Sequence, residues 1–252
     1  MVLSGEHSVL RGGAAICMPY EEMGLKFQFQ PEKGKGLRVL PSPWGEALLK
    51  LLKRSGLEKI PGGLVQVGST IPTQAGLGSS AALSVAVVRW LSGEGLAPEL
   101  QWSRARDLEH EFHGVSSGMD VAAVIAKGPI CFQKGVATPI RAKKGKFKIS
   151  LHDSGVRSST VEMVKRVQSH PQTPKIDEVM GDASDQIMGA LKAGDALALA
   201  EGVHLARSCF KSWDLIPPEV AKLERSLKRK GSLATKPTGA GGGGFVLSID
   251  PV

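Results

Sequence analysis

The sequence predicts a chain of interleaved strands and helices divided into two domains. Three observations predict it. First, 252 residues with 42% hydrophobic and 22% charged content suffice to bury one large or two modest cores. Second, strictly alternating stretches such as 25–30 (LKFQFQ) are mixed with stretches of helical spacing such as 81–91, rich in Ala, Val and Leu. Third, a lysine-rich piece at 141–148 (RAKKGKFK) interrupts these patterns and separates a domain at 1–145 from one at 146–252.

In chain order, 2–3 and 9–10 read as a strand and its return, flanking a turn at Ser4–Ser8. A strand at 25–30, a helix at 45–55 and a strand at 63–69 follow. Helices are predicted at 81–91 and at 103–113, the latter with Ser103 as its N-cap. The apolar run 121–126 is a buried helix or strand, and 129–133 is a strand. The second half opens with a strand at 147–152 and a helix at 160–169 that begins at Ser159 or Thr160. Helices at 176–193, 195–212 and 217–230 come next, and 233–235 leads into a glycine run.

The net charge of +8 suits polyanionic ligands. Its clusters at 141–148 and 225–230 (RSLKRK) read as solvated faces rather than as a nucleic-acid surface, and 5% aromatics leave few rings to stack bases. Cys17, Cys131 and Cys209 lack metal-type spacing, so reduced thiols in a cytoplasmic protein are the simplest account. Acidic Glu6 near the start excludes a signal peptide, and no run is long enough to span a bilayer.

Three segments carry chemistry. Residues 71–84 (IPTQAGLGSSAALS) bring glycines to the start of a helix. Glycines permit close backbone approach, and unpaired amides at a helix start favour an anion. With hydroxyls at Ser79 and Ser80, the segment points to a nucleoside triphosphate and Mg²⁺. It is not a Walker A loop, because Ser79 stands where that motif needs Lys, and its glycine spacing is not that of a dinucleotide fingerprint. Residues 109–120 (EHEFHGVSSGMD) pack three carboxylates and two imidazoles around a glycine turn. One carboxylate would hold a hard divalent cation and another would orient or deprotonate a hydroxyl. A zinc reading of His110 and His113 lacks a third ligand. The third segment, 239–244 (GAGGGG), precedes an apolar strand, and such a run implies close approach to a ligand or to another backbone.

Together SGEHSVLRGGAAI (4–16), IPTQAGLGSSAA (71–82) and KPTGAGGGG (236–244), in this order and with the acidic segment between the last two, resemble the signatures of the GHMP kinases. That family comprises galactokinase, homoserine kinase, mevalonate kinase and phosphomevalonate kinase. The resemblance spans nearly the whole chain and is greatest to the mevalonate kinase branch. It implies an α+β fold: an N-terminal ribosomal-protein-like domain with a left-handed β-α-β unit, unusual among crossovers, and a ferredoxin-like C-terminal domain. Both chain ends look shortened against the family pattern, and a homodimer would cover the sheet edge this exposes.

For the site, the resemblance implies ATP and Mg²⁺ as cofactors. Gln74, Ala75, Gly76, Leu77, Gly78, Ser79 and Ser80 would bind ATP. Ser80 and Glu109 would ligate Mg²⁺, and Asp120 would take or orient the proton of the acceptor hydroxyl. Glu6, His7, Ser117, Gly118, Thr160, Gly239, Ala240 and Gly241 would line a small-molecule acceptor site for mevalonate or a related alcohol, with no nucleic-acid or membrane partner. Members usually carry a Lys ahead of the SGEH strand. This sequence starts at Met1, about where the residue after that Lys belongs, and Arg11, Arg157 and Lys236 are the cations available in its place. Two other readings compete. Phosphomevalonate is an alternative acceptor, suggested by Asp120-Val-Ala-Ala, and a non-catalytic ligand-binding relative is suggested by the missing Lys.

Overall fold

The computed structural model describes residues 1–40, 43–54, 60–72, 76–93, 95–113 and 116–252, without the side chains of 43, 54 and 111–113. In chain order the elements are β1 (Val2–Ser4), a 3-10 turn (Ser8–Arg11), β2 (Ala15–Cys17), β3 (Leu25–Pro31), β4 (Leu37–Leu40), α1 (Pro43–Arg54), β5 (Gly63–Ser69), α2 (Ser79–Ser92), α3 (Pro98–His113) and α4 (Met119–Ile125). Then come β6 (Ile130–Gln133), β7 (Val136–Pro139), β8 (Phe147–Asp153), α5 (Thr160–Ser169), α6 (Thr173–Ala193), α7 (Ala196–Ser212), α8 (Pro218–Arg229), β9 (Ala234–Thr238) and β10 (Phe245–Pro251). The chain forms two compact units. One holds Met1–Pro19, Gln74–Leu77 and Ala126–Val252, and the other holds Tyr20–Thr73 and Gly78–Ile125. The 141–148 segment lies inside the first of these.

The unit built on Tyr20–Thr73 and Gly78–Ile125 is a three-stranded sheet in the order β3-β5-β4 with four helices. Strand β5 pairs antiparallel with β3 and parallel with β4, and α1 is the crossover between the parallel strands. Alternation in β3 turns Phe27 and Phe29 inward, where both meet Trp90 of α2, at ring-centroid distances of 5.5 and 4.7 Å. Helix α2 is apolar on nearly every side, and Ala81, Leu83, Val85, Val87 and Val88 are buried in the unit's core with Leu48, Leu51 and Leu52 of α1. A helix apolar all round belongs inside a protein. The rigid interior of α2 therefore fixes the position of its N-terminal residues, Ser79 and Ser80.

Helix α3 begins at Pro98 rather than at Ser103, which lies in its interior. Proline suits the first helical position because its missing N–H would have no intrahelical partner there, and Glu99 complements the positive end of the dipole. The apolar run at 121–126 is helical as far as Ile125: α4 spans Met119–Ile125.

The other unit contains two antiparallel sheets, β1-β2-β6-β7 and β8-β10-β9. The predicted return strand at 9–10 is instead the 3-10 turn, and the strand that returns to β1 is β2. Gly12, in the left-handed region at φ 89°, ends the turn and delays the reversal past the residues that read as apolar. The antiparallel pair α6 and α7 covers Leu3, Ile16, Leu247 and Ile249 with Ile187, Leu191, Leu199 and Val203. Asp195 caps α7 by accepting from the Leu197 and Ala198 amides at 2.9 and 3.1 Å. A second cluster holds Met163, Val167, Met180, Phe210 and Trp213, and the last two pack against His7. Of the two starts the sequence offers, Ser159 is the cap of α5, accepting from the Glu162 amide.

Strands β4 and β7, four residues each, were not predicted. They are sheet edges, and β7 is exposed throughout, so neither carries a strong apolar pattern. Arg141, Lys143, Lys144, Arg225, Lys228 and Arg229 are exposed. Among the described residues no helix is long and apolar enough to cross a membrane.

Candidate active site

In the unit with α2, the helix start carries the first group of predicted residues. Gly78 is left-handed at φ 69°, ψ 34° and caps α2 with no side-chain hydrogen bond. A helix start capped by glycine rather than by a side chain is of the kind that suits an anion. A Cβ on Gly78 would stand 3.4 Å from the Asp120 Cβ, so the acidic residue at the start of α4 packs against the helix cap. Ser80 Oγ lies 3.4 Å from Glu109 Oε1. Glu109 sits on α3 and is only 2% exposed. Burial, and next the negative charge of Asp120, push its carboxyl up to about 7, against hydrogen bonds from Ser116 and Ser80 that act downward.

The Ser80 hydroxyl and the Glu109 carboxylate, with the Asp120 charge acting on the latter, form a hard oxygen donor set. Among the described residues no cluster of three or more His, Cys, Asp or Glu could hold a metal. Mg²⁺ typically binds through one or two carboxylates and completes its sphere with phosphate oxygens and water, and this donor set fits that habit. His110 Nδ1 accepts from the Ser116 amide at 3.1 Å, so this nitrogen serves the local fold rather than zinc.

The turn before α4 is built locally. Ser117 Oγ accepts from the Met119 amide at 3.2 Å. Gly118, at φ 79°, lies under the Trp102 ring, which a Cβ would meet at 2.7 Å, and its carbonyl accepts from Trp102 Nε1 at 2.9 Å. Only glycine fits there.

In the other unit, β1 delivers Glu6 and His7 into a buried turn. His7 Nε2 meets the Ala240 carbonyl at 2.9 Å, so this nitrogen carries the hydrogen and Nδ1 the lone pair. The rings of Trp213 and Phe210 stand edge-on, with centroids at 5.4 and 5.9 Å. Lys236 of β9 is fully buried. Its ammonium pairs with Glu6 Oε1, donates to the Pro237 carbonyl at 2.6 Å and lies 4.4 Å from the Phe210 ring centroid. Burial lowers its pKa, and Glu6 opposes that.

The glycine run packs against backbone. A Cβ on Gly239, at φ 84°, would lie 2.7 Å from the Gly76 carbonyl oxygen. The Gly241 carbonyl accepts from Ser158 Oγ at 2.6 Å. Leu77 follows Gly76, and Gln74 and Ala75 lie outside the described residues. Thr160 opens α5 and is exposed. Of the cations considered for the missing Lys, Arg11 forms a two-point pair with Asp177 and Arg157 one with Asp153. Sequence reasoning missed Ser116, Trp102, Phe210 and Trp213. Ser116 was legible only as one of two adjacent serines, and the aromatics carry no local signal.

Burial lowers the His7 pKa to about 4. Below its ordinary value of about 6.5 the unfolded chain takes up a proton that the folded chain refuses. The stability present above pH 6.5 is therefore lost as pH falls toward 4, by roughly 3 kcal/mol from this group. His7→Gln should remove that loss, so the gap in unfolding free energy between wild type and variant should narrow by this amount between pH 7 and 4. A gap independent of pH would contradict the assignment.

Comparison with known proteins identifies the family. The family profile for the GHMP kinases N terminal domain matches residues 44–128, and that for the GHMP kinases C terminal domain matches 187–251. The chain is 31% identical to a mevalonate kinase of Archaeoglobus fulgidus over 99% of its own length and 89% of that protein. It is 30% identical to a mevalonate kinase of Aeropyrum pernix, over 99% and 86% of the two chains. The crystal structure of L. major mevalonate kinase in complex with R-mevalonate superposes with a TM-score of 0.79 at 23% identity, covering 98% of this chain and 84% of that one, a likeness of fold alone. The chain therefore belongs to the GHMP kinases, and as a member it is an ATP-dependent, Mg²⁺-using kinase that phosphorylates an alcohol.

Proposed function

We propose that this kinase phosphorylates a hydroxyl of mevalonate. The observation that carries the reading is that relatives named mevalonate kinase match it over nearly its whole length. Phosphoryl transfer needs positioning and charge stabilisation more than covalent chemistry, and the residues supply both. Gly76–Ser80, leading into the N-terminal turn of α2, would cradle the phosphates of ATP. Ser80 and Glu109 would hold Mg²⁺, which when bound neutralises phosphate charge. Asp120 orients the acceptor hydroxyl and receives its proton. A loose transition state asks for little early deprotonation, so Asp120 needs no raised basicity. Glu6, His7, Ser117, Gly118, Thr160 and Gly239–Gly241 serve the acceptor side. Lys236 is assigned to holding Glu6, not to touching phosphate, because it is fully buried and paired. No disulfide joins the described cysteines, which supports a cytoplasmic enzyme.

ADP release should be measured with mevalonate, phosphomevalonate, galactose and homoserine as acceptors. Turnover is expected with mevalonate alone. Turnover with phosphomevalonate instead would replace this reading with the phosphomevalonate kinase one, and ATP binding without turnover on any acceptor would favour a non-catalytic relative.

A further inference from the structure

Ser116 joins Glu109 to the turn that leads into Asp120, although neither its type nor its position singles it out in the sequence. Its Oγ donates to Glu109 Oε2 and accepts from the Gly118 amide at 3.1 Å. Its amide donates to His110 Nδ1 at 3.1 Å, and its carbonyl accepts from Arg106 Nε at 3.3 Å. Arg106 in turn lies 5.4 Å from the Trp102 ring centroid, and Trp102 holds the Gly118 carbonyl. Every polar group of Ser116 is engaged, and the residue is only 9% exposed.

A carboxylate on a flexible Glu side chain has two equivalent oxygens and a freely turning terminal torsion. Here the Ser116 hydroxyl engages Oε2, and Oε1 is the oxygen that faces Ser80 Oγ. We propose that Ser116 is a positioning residue for the metal: it fixes Glu109 so that Oε1 stands beside Ser80. This rests on the reading of Ser80 and Glu109 as the Mg²⁺ ligands. The same turn leads directly into Met119 and Asp120, so one hydroxyl sets the spacing between the metal-binding carboxylate and the one that handles the proton. Partners that orient a metal ligand typically change metal affinity tenfold or more when removed.

The test uses Mn²⁺ as the probe, bound to the full chain with a non-hydrolysable ATP analogue and followed by the electron paramagnetic resonance of free Mn²⁺. Ser116→Ala should weaken Mn²⁺ binding about tenfold, with affinity for the metal-free analogue unchanged. Ser116→Thr, which keeps the hydroxyl, should restore it. Ser116→Cys, a close isostere with a weak donor, should fall between and remains informative if the Ala variant does not fold. A purely structural role would lower stability but leave Mn²⁺ affinity alone. If Ser116→Ala or Ser116→Cys binds Mn²⁺ as wild type does while Glu109→Gln loses it, the proposal is overturned and Glu109 stays a ligand. If Glu109→Gln also binds normally, the metal reading itself falls, and this proposal falls with it.

Discussion

Asp120→Asn is expected to lower kcat by roughly 10²- to 10⁴-fold, the usual contribution of a positioned proton acceptor, while ATP still binds. The substitution keeps the shape of the side chain and so keeps its packing against Gly78, on which a Cβ would stand 3.4 Å from the Asp120 Cβ. What it removes is the negative charge and basicity that take the hydroxyl proton. The same charge helps to raise the Glu109 carboxyl, so the variant should also ionise Glu109 more easily and should not weaken metal binding. Steady-state kinetics with calorimetric titration of a non-hydrolysable ATP analogue separates the two effects. A variant with near-normal turnover rules out the role of Asp120. A variant that loses nucleotide binding along with kcat would instead place Asp120 among the phosphate-binding groups.

Lys236→Ala is expected to cost about 3–5 kcal/mol of stability, the usual penalty for leaving one member of a buried ion pair alone. Both side chains are almost wholly inaccessible, at 0% and 2%. In the wild type the Lys236 ammonium is surrounded by the Glu6 carboxylate, the Pro237 carbonyl and the face of Phe210. Without it the Glu6 charge sits in a low-dielectric interior, and the turn that carries His7 loses its anchor on β9. The double variant Glu6→Gln/Lys236→Met should regain most of the loss, because replacing both charges with groups of similar volume is often near neutral. Urea unfolding of the three chains decides it. A single variant as stable as wild type would show that the pair contributes nothing, and a double variant no better than the single one would show that packing, not charge, is at stake.

The sequence made much of this visible. The strand at 63–69, the helix at 160–169 and the helix expected at 81–91, which runs from Ser79 to Ser92, follow from periodicity, which is local. The order of the three glycine segments, with Ser80, Glu109 and Asp120 among them, was enough to point to the family. The α3 start was misplaced because its first turn, Pro98 to Gln101, holds one exposed leucine and no apolar stripe, and the proline rule outweighs a serine cap. The strand expected at 9–10 is a 3-10 turn because two glycines let the chain reverse later. These are contests between local signals of similar strength.

Chemistry-bearing residues were therefore determined by the sequence alone: which glycines lead into a helix, which carboxylates neighbour a glycine turn, and in what order. The tertiary structure decided what those residues touch. It paired Lys236 with Glu6 across 230 positions of the chain, laid the Gly239 backbone on Gly76 and set Ser116, rather than its neighbour Ser117, on Glu109. Each of these is a long-range contact or a choice between adjacent residues of one type. Sequence patterns report the faces of single elements, whereas burial, charge pairing and close backbone approach exist only after the elements have packed.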